Sequence, residues 1–143
     1  MDSQSGKAQQ KIDFVNMKKY TIVLLFVLIN FSCNRTKGQS NLISCNSVAE
    51  LINSQDINLI DVRTPDEFQS GHIVGAQNID FYDPNFQKKI NQLDKSIPIV
   101  LYCRSGKRSA RCAATISEDG FKIVYDLEGG IVEWTLAGHE IVN

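Results

Sequence analysis

A chain of 143 residues and 16.0 kDa is one ordinary domain's worth of protein, and with 43% hydrophobic and 22% charged residues it can bury a core, so wholesale disorder and collagen-like repetition are excluded. The formal charge of −1, from 15 basic and 16 acidic residues, supplies no global field to hold the chain on nucleic acid. Four cysteines and two histidines are too few and too scattered for a zinc framework or a disulfide-stapled mini-fold, so no metal is expected, and no cofactor is expected either.

The front of the chain reads as an address. Lys18 and Lys19 precede an apolar run from Ile22 to Ile29, and Asn30, Phe31 and Ser32 follow before Cys33. This is the layout of a secretory signal, and the run falls short of the roughly 20 apolar residues of a comfortable spanning helix. Cys33, directly after Ser32, resembles a bacterial lipoprotein processing site, which implies a lipidated cysteine as the mature N-terminus. The polar residues 1–16 leave three readings open: a true start at Met17, a long n-region, or an uncleaved anchor helix. All three place the domain on the periplasmic or envelope side, tethered to a membrane. The expected organisation is therefore a signal segment over residues 1–33, a polar tether over 34–41 and one domain, expected to be monomeric, over 42–143.

Short apolar runs then alternate with helix-like segments. Residues 46–53 carry Val48, Leu51 and Ile52 at helical spacing. Ile57–Val62 reads as a strand covered on both faces. Pro65 opens a short helix through Phe68, stopped at Gly71, and Ala76–Ile79 is a short strand. Phe86–Leu93 puts Phe86, Ile90 and Leu93 on one helix face. Ile97–Tyr102 is the most apolar strand in the chain. Ser109–Ser117 is a small, Ala-rich helix ended at Gly120, Ile123–Tyr125 another strand, and Ile131–Leu136 a final helix capped by Gly138. Strands alternating with helices over about a hundred residues predict an α/β fold with a central parallel sheet flanked by helices. In such sheets ligands sit beyond the carboxyl ends of the strands.

One of those ends carries chemistry. The central strand runs into Cys103-Arg104-Ser105-Gly106-Lys107-Arg108-Ser109 and then a helix. The strand fixes the Cys103 sulfur, and Gly106 allows a tight turn. The turn's N–H groups and the positive end of the next helix make an anion cradle. Four basic residues, Arg104, Lys107, Arg108 and Arg111, fall within eight positions. A thiol so placed is expected to exist largely as thiolate.

The run CRSGKRS resembles the active-site loop of the rhodanese family of sulfurtransferases, and two further segments agree. Asp61-Val62-Arg63 with Glu67, Gly71-His72-Ile73, Gly75-Ala76 and Asn78-Ile79 is similar to that family's first signature. Leu127-Glu128-Gly129-Gly130 with Trp134 and Gly138 is similar to its last. The resemblance spans residues 42–142 and implies a rhodanese-like three-layer fold. It makes Cys103 the nucleophile and persulfide carrier, with the backbone N–H groups of Arg104–Ser109 as the cradle. The donor would be thiosulfate or a persulfide, and the acceptor a thiol or cyanide. Ser105 and Glu67 stand where the tandem-domain thiosulfate enzymes carry basic residues, which leaves Arg104, Lys107 and Arg108 to supply positive charge.

Two other functions use similar parts. A phosphatase or arsenate reductase also sets a cysteine in an anion cradle. The tyrosine-phosphatase spacing, however, is Cys, five residues, then Arg, and here Arg108 comes one residue too early. A non-catalytic persulfide carrier or docking domain is the third reading. Asp61 and Arg63 are expected to form an ion pair that supports the site, His72 to be structural and His139 to lie on the surface. Cys112 is expected as a packing residue, Cys45 as an isolated thiol, and Phe68 and Trp134 as core aromatics.

Overall fold

The computed structural model describes residues 41–54 and 56–143. The signal segment, Cys33 and the stretch read as a tether before residue 41 lie outside the described residues. Among those described, no helix is long and apolar enough to cross a membrane.

The elements are β1 (Asn41–Ile43), α1 (Cys45–Ser54), β2 (Asn58–Asp61), α2 (Pro65–Gln69), β3 (His72–Ile73), β4 (Gln77–Asn78), α3 (Phe86–Ile90), β5 (Ile99–Tyr102), α4 (Lys107–Ile116), β6 (Val124–Leu127), α5 (Gly130–Leu136) and β7 (Ile141–Val142). Five strands make a parallel sheet in the order β1-β6-β5-β2-β4. The remaining two, β3 and β7, form a small antiparallel ladder.

All four residues of β5 are fully buried, at about 1.5–3 kcal/mol for each large apolar side chain, so the middle strand anchors the sheet. Alternation along it sorts the core in two. Ile99, Leu101 and Cys103 face a cluster containing Phe86 and Ile90 of α3 and Cys112, Ala113 and Ile116 of α4. Val100 and Tyr102 face the opposite cluster, which contains Val48 of α1 and Ile131 and Trp134 of α5. Helices thus cover both faces, and the architecture is the three-layer one expected.

Differences from expectation fall at the margins. Asn41, placed at the end of the tether, opens β1, which pairs with β6 in the register Asn41–Tyr125 to Ile43–Leu127. The ladder of β3 and β7 was not expected, because two-residue strands carry no periodicity. Helix α3 ends at Ile90 rather than Leu93, and the chain tightens into turns in which the Gln92 and Leu93 amides reach back three residues. Phe68 is half-buried rather than core, since α2 buries none of its residues.

Candidate active site

The sulfur of Cys103 is positioned by the strand that ends at Tyr102, and the residue is 1% exposed. Gly106 follows with φ +87, a left-handed conformation that only glycine adopts without strain. From there α4 begins at Lys107, two residues earlier than the sequence pattern suggests. The first-turn amides of a helix have no intrahelical acceptor, and here they find one in the thiol. Burial pushes the Cys103 thiol up. The amides of Ser109, Ser105 and Arg108 and the Ser109 hydroxyl outweigh it, leaving the thiol below its ordinary range. Ser109 Oγ lies 3.7 Å from Cys103 Sγ. The lowering matches the expected direction, but its leading sources are backbone and hydroxyl donors, not the four cations.

The outer side of the loop is held by the last helix. The amides of Ile131 and Val132, at the start of α5, donate to the carbonyls of Cys103 (2.9 Å) and Arg104 (3.2 Å). With those carbonyls turned outward, the loop's N–H groups are left to face the sulfur. This approach needs Gly130, which sits at φ +62, and a Cβ there would collide with the Cys103 carbonyl oxygen and the Arg104 backbone.

The charges are distributed differently from expectation. Arg108 is engaged by a carboxylate: its Nη1 and Nη2 donate to Glu67 Oε2 (2.6 Å) and Oε1 (2.7 Å), a bidentate pair linking α2 to the first turn of α4. Glu67 Oε2 also accepts from the Thr64 amide (3.1 Å), closing a capping box with the Thr64 side chain. The Arg108 hydrogen bonds hold the Glu67 carboxyl at about 2 despite partial burial. The charge of Arg108 is therefore balanced by Glu67. Arg111 lies 5.2 Å from the centre of the Phe81 ring. Arg104 and Lys107 are exposed and, among the described residues, make no ion pair.

Asp61 and Arg63 do form the expected pair, both buried, with Arg63 Nη2 2.7 Å from Asp61 Oδ2. Arg63 Nη2 also donates to the Gly71 carbonyl (2.6 Å), so the segment they tie down is the turn leading into β3. His72 is structural: its ring stacks on Phe68 at 3.7 Å, and Nδ1 meets the Phe68 carbonyl at 3.1 Å. His139 is not a free surface residue. It packs on Trp134 at 4.4 Å and faces Asn46 Oδ1 at 3.1 Å.

Cys45, Cys103 and Cys112 are free thiols. Cys112 is fully buried in the core, and burial pushes its thiol up. Among the described residues no group of side chains could hold a metal ion. The sequence reading missed the Glu67–Arg108 pair, the docking of α5 on the loop, and Asp126, whose only signal is one acid inside the apolar run VYDL of β6.

A family model described as a rhodanese-like domain matches residues 44–137. The uncharacterized protein YqhL of Bacillus subtilis is 41% identical over 76 residues, which are 53% of this chain and 59% of that protein's length. The thiosulfate sulfurtransferase GlpE of Shewanella oneidensis is 33% identical over 92 residues, covering 64% of this chain and 89% of GlpE. Among solved structures, a rhodanese-related protein from Thermoplasma volcanium superposes with a TM-score of 0.64 at 30% identity, covering 71% of this chain and 97% of that one.

Proposed function

Because this chain belongs to the rhodanese-like domain family, we propose that it is a sulfurtransferase working through a persulfide on Cys103. The observation that carries the reading is a buried strand-end thiol lowered by three loop amides and a hydroxyl. Such a cradle suits a sulfur anion at both stages of turnover. In the first, the Cys103 thiolate attacks the sulfane sulfur of a donor such as thiosulfate. A new S–S bond forms, and sulfite leaves with the electron pair of the old one. In the second, an acceptor thiolate or cyanide attacks the outer sulfur and Cys103 leaves as thiolate. No electron is gained from outside and no cofactor takes part. With Arg108 engaged by Glu67, the exposed Arg104 and Lys107 are the cations that meet an incoming donor.

Intact-mass measurement after exposure to thiosulfate tests the proposal. Purified protein should gain one sulfur atom on Cys103 and release it to cyanide as thiocyanate. Hydrolysis of p-nitrophenyl phosphate without sulfur uptake would replace this reading with a phosphatase. Sulfur uptake without turnover would leave a persulfide carrier.

The reading extends to where the domain works, as a monomer tethered to a membrane by acyl chains at Cys33 on the periplasmic or envelope side. Support comes from Lys18, Lys19, the apolar run Ile22–Ile29 and Cys33 itself. Protein recovered from cells should begin at Cys33 and partition with membranes. A full-length chain in the cytoplasmic fraction would overturn this localisation.

A further inference from the structure

Sulfur transfer as just described leaves one buried acid without a task. Asp126 stands on β6, in register with Leu101 of β5 and Leu42 of β1. It is 2% exposed, and its Oδ1 has no hydrogen-bond partner. No cation pairs with it among the described residues. The groups beside it are the Ser109 hydroxyl and the Cys112 thiol of α4. An ionised carboxylate there would be a buried charge with no counter-ion and an orphaned oxygen, an arrangement strongly disfavoured against the neutral acid. Burial does push Asp126 up, with the Ser109 hydroxyl pulling the other way.

Ser109 is the link to the nucleophile. Its hydroxyl has one proton and two hydrogen-bond acceptors, Cys103 Sγ at 3.7 Å and the Gly106 carbonyl at 3.1 Å, and the Asp126 carboxyl lies beside it. A carboxylate at Asp126 would compete for that proton. A neutral acid would instead donate to a lone pair of Ser109 Oγ and leave the serine proton on the loop side.

We propose that Asp126 is a positioning residue for the nucleophile, a neutral carboxylic acid whose O–H donates to Ser109 Oγ and so keeps the serine proton available to the Cys103 sulfur. No bond to sulfur is made or broken by Asp126, and its proton stays with it. The proposal rests on Cys103 being the nucleophile, whichever group Cys103 transfers.

The test follows alkylation of Cys103 by iodoacetamide against pH in the full chain, located by peptide mass so that other thiols are not counted. Asp126→Asn, whose amide donates as the acid does, should keep the wild-type midpoint. Asp126→Leu should raise it by about one pH unit, and so should Ser109→Ala. The double variant should lie no higher than Ser109→Ala alone, because both changes remove the same donor. A midpoint unmoved in Asp126→Leu, or moved as far in Asp126→Asn as in Asp126→Leu, would overturn the proposal. Should the leucine variant fail to fold, infrared spectroscopy of the wild type decides. A protonated-carboxyl band at neutral pH that is lost in Asp126→Asn supports the proposal, and its absence from the wild type defeats it. Alkylation and infrared bands do not depend on sulfur transfer, so this result stays separate from the outcome with thiosulfate and cyanide.

Discussion

Replacing Cys103 by serine is expected to remove sulfur transfer altogether, a loss of at least ~10³-fold in thiocyanate formation. The substitution changes one atom in a site that already tolerates a small polar group against the loop amides, so the fold should survive. The hydroxyl, however, is not ionised at neutral pH and forms no stable bond to sulfane sulfur. Intact mass should show no added sulfur on the serine variant. Cys112→Ser is the control. It places a hydroxyl among the apolar side chains of α3, α4 and β5, with Asp126 beside it, at about 1 kcal/mol of stability, yet most of the transfer rate should remain. A serine-103 variant that still turned over would remove Cys103 from the mechanism. Equal losses at both positions would point to damaged packing rather than lost chemistry.

Gly130→Ala is expected to be the most damaging single-methyl change in the domain. At φ +62 an alanine carries a backbone penalty of about 1–2 kcal/mol. Its Cβ would also strike the Cys103 carbonyl and the Arg104 backbone. Those atoms cannot step aside without giving up the hydrogen bonds from Ile131 and Val132. The combined loss should be about 3–5 kcal/mol, read as a shift of the urea midpoint. In the molecules that remain folded, the Cys103 thiol should return toward its ordinary range. Gly138→Ala supplies the comparison. Its φ of +85 brings a similar backbone penalty, but a Cβ there meets nothing within 4 Å, so only that penalty of about 1–2 kcal/mol is expected. Equal costs at the two glycines would mean that contact with α5 does not hold the loop.

What the sequence made legible tracks how locally each feature is encoded. The strand through Tyr102 was readable because four consecutive apolar residues need cover on both faces, and the structure buries all four. The Cys103 loop was readable because strand, cysteine, glycine and helix follow one another without interruption. Cations within eight positions invited the inference that charge lowers the thiol. Their side chains reach elsewhere, however: Arg108 to a carboxylate 41 residues earlier and Arg111 to the Phe81 ring. Only the fold brings such partners together, so no local pattern announces them. Asn41, which opens the edge strand Asn41–Ile43, passed for the end of the tether because it is polar and a three-residue strand leaves too little alternation to read. Asp126 could have been flagged, since an acid within VYDL sits uneasily in a strand covered on both sides.

The hydrogen bonds from Ile131 and Val132 to the loop also impose an order in time. Each donor lies 28 residues beyond the carbonyl it holds. During synthesis, Cys103 therefore leaves the ribosome well before the segment that shapes its surroundings. Until β6 and α5 have followed and docked, the amides around the sulfur are free to turn to water, and the cysteine behaves as an ordinary, weakly ionised thiol. Reactivity arrives with the docking of α5, so an unfinished or unfolded molecule does not carry an activated sulfur nucleophile.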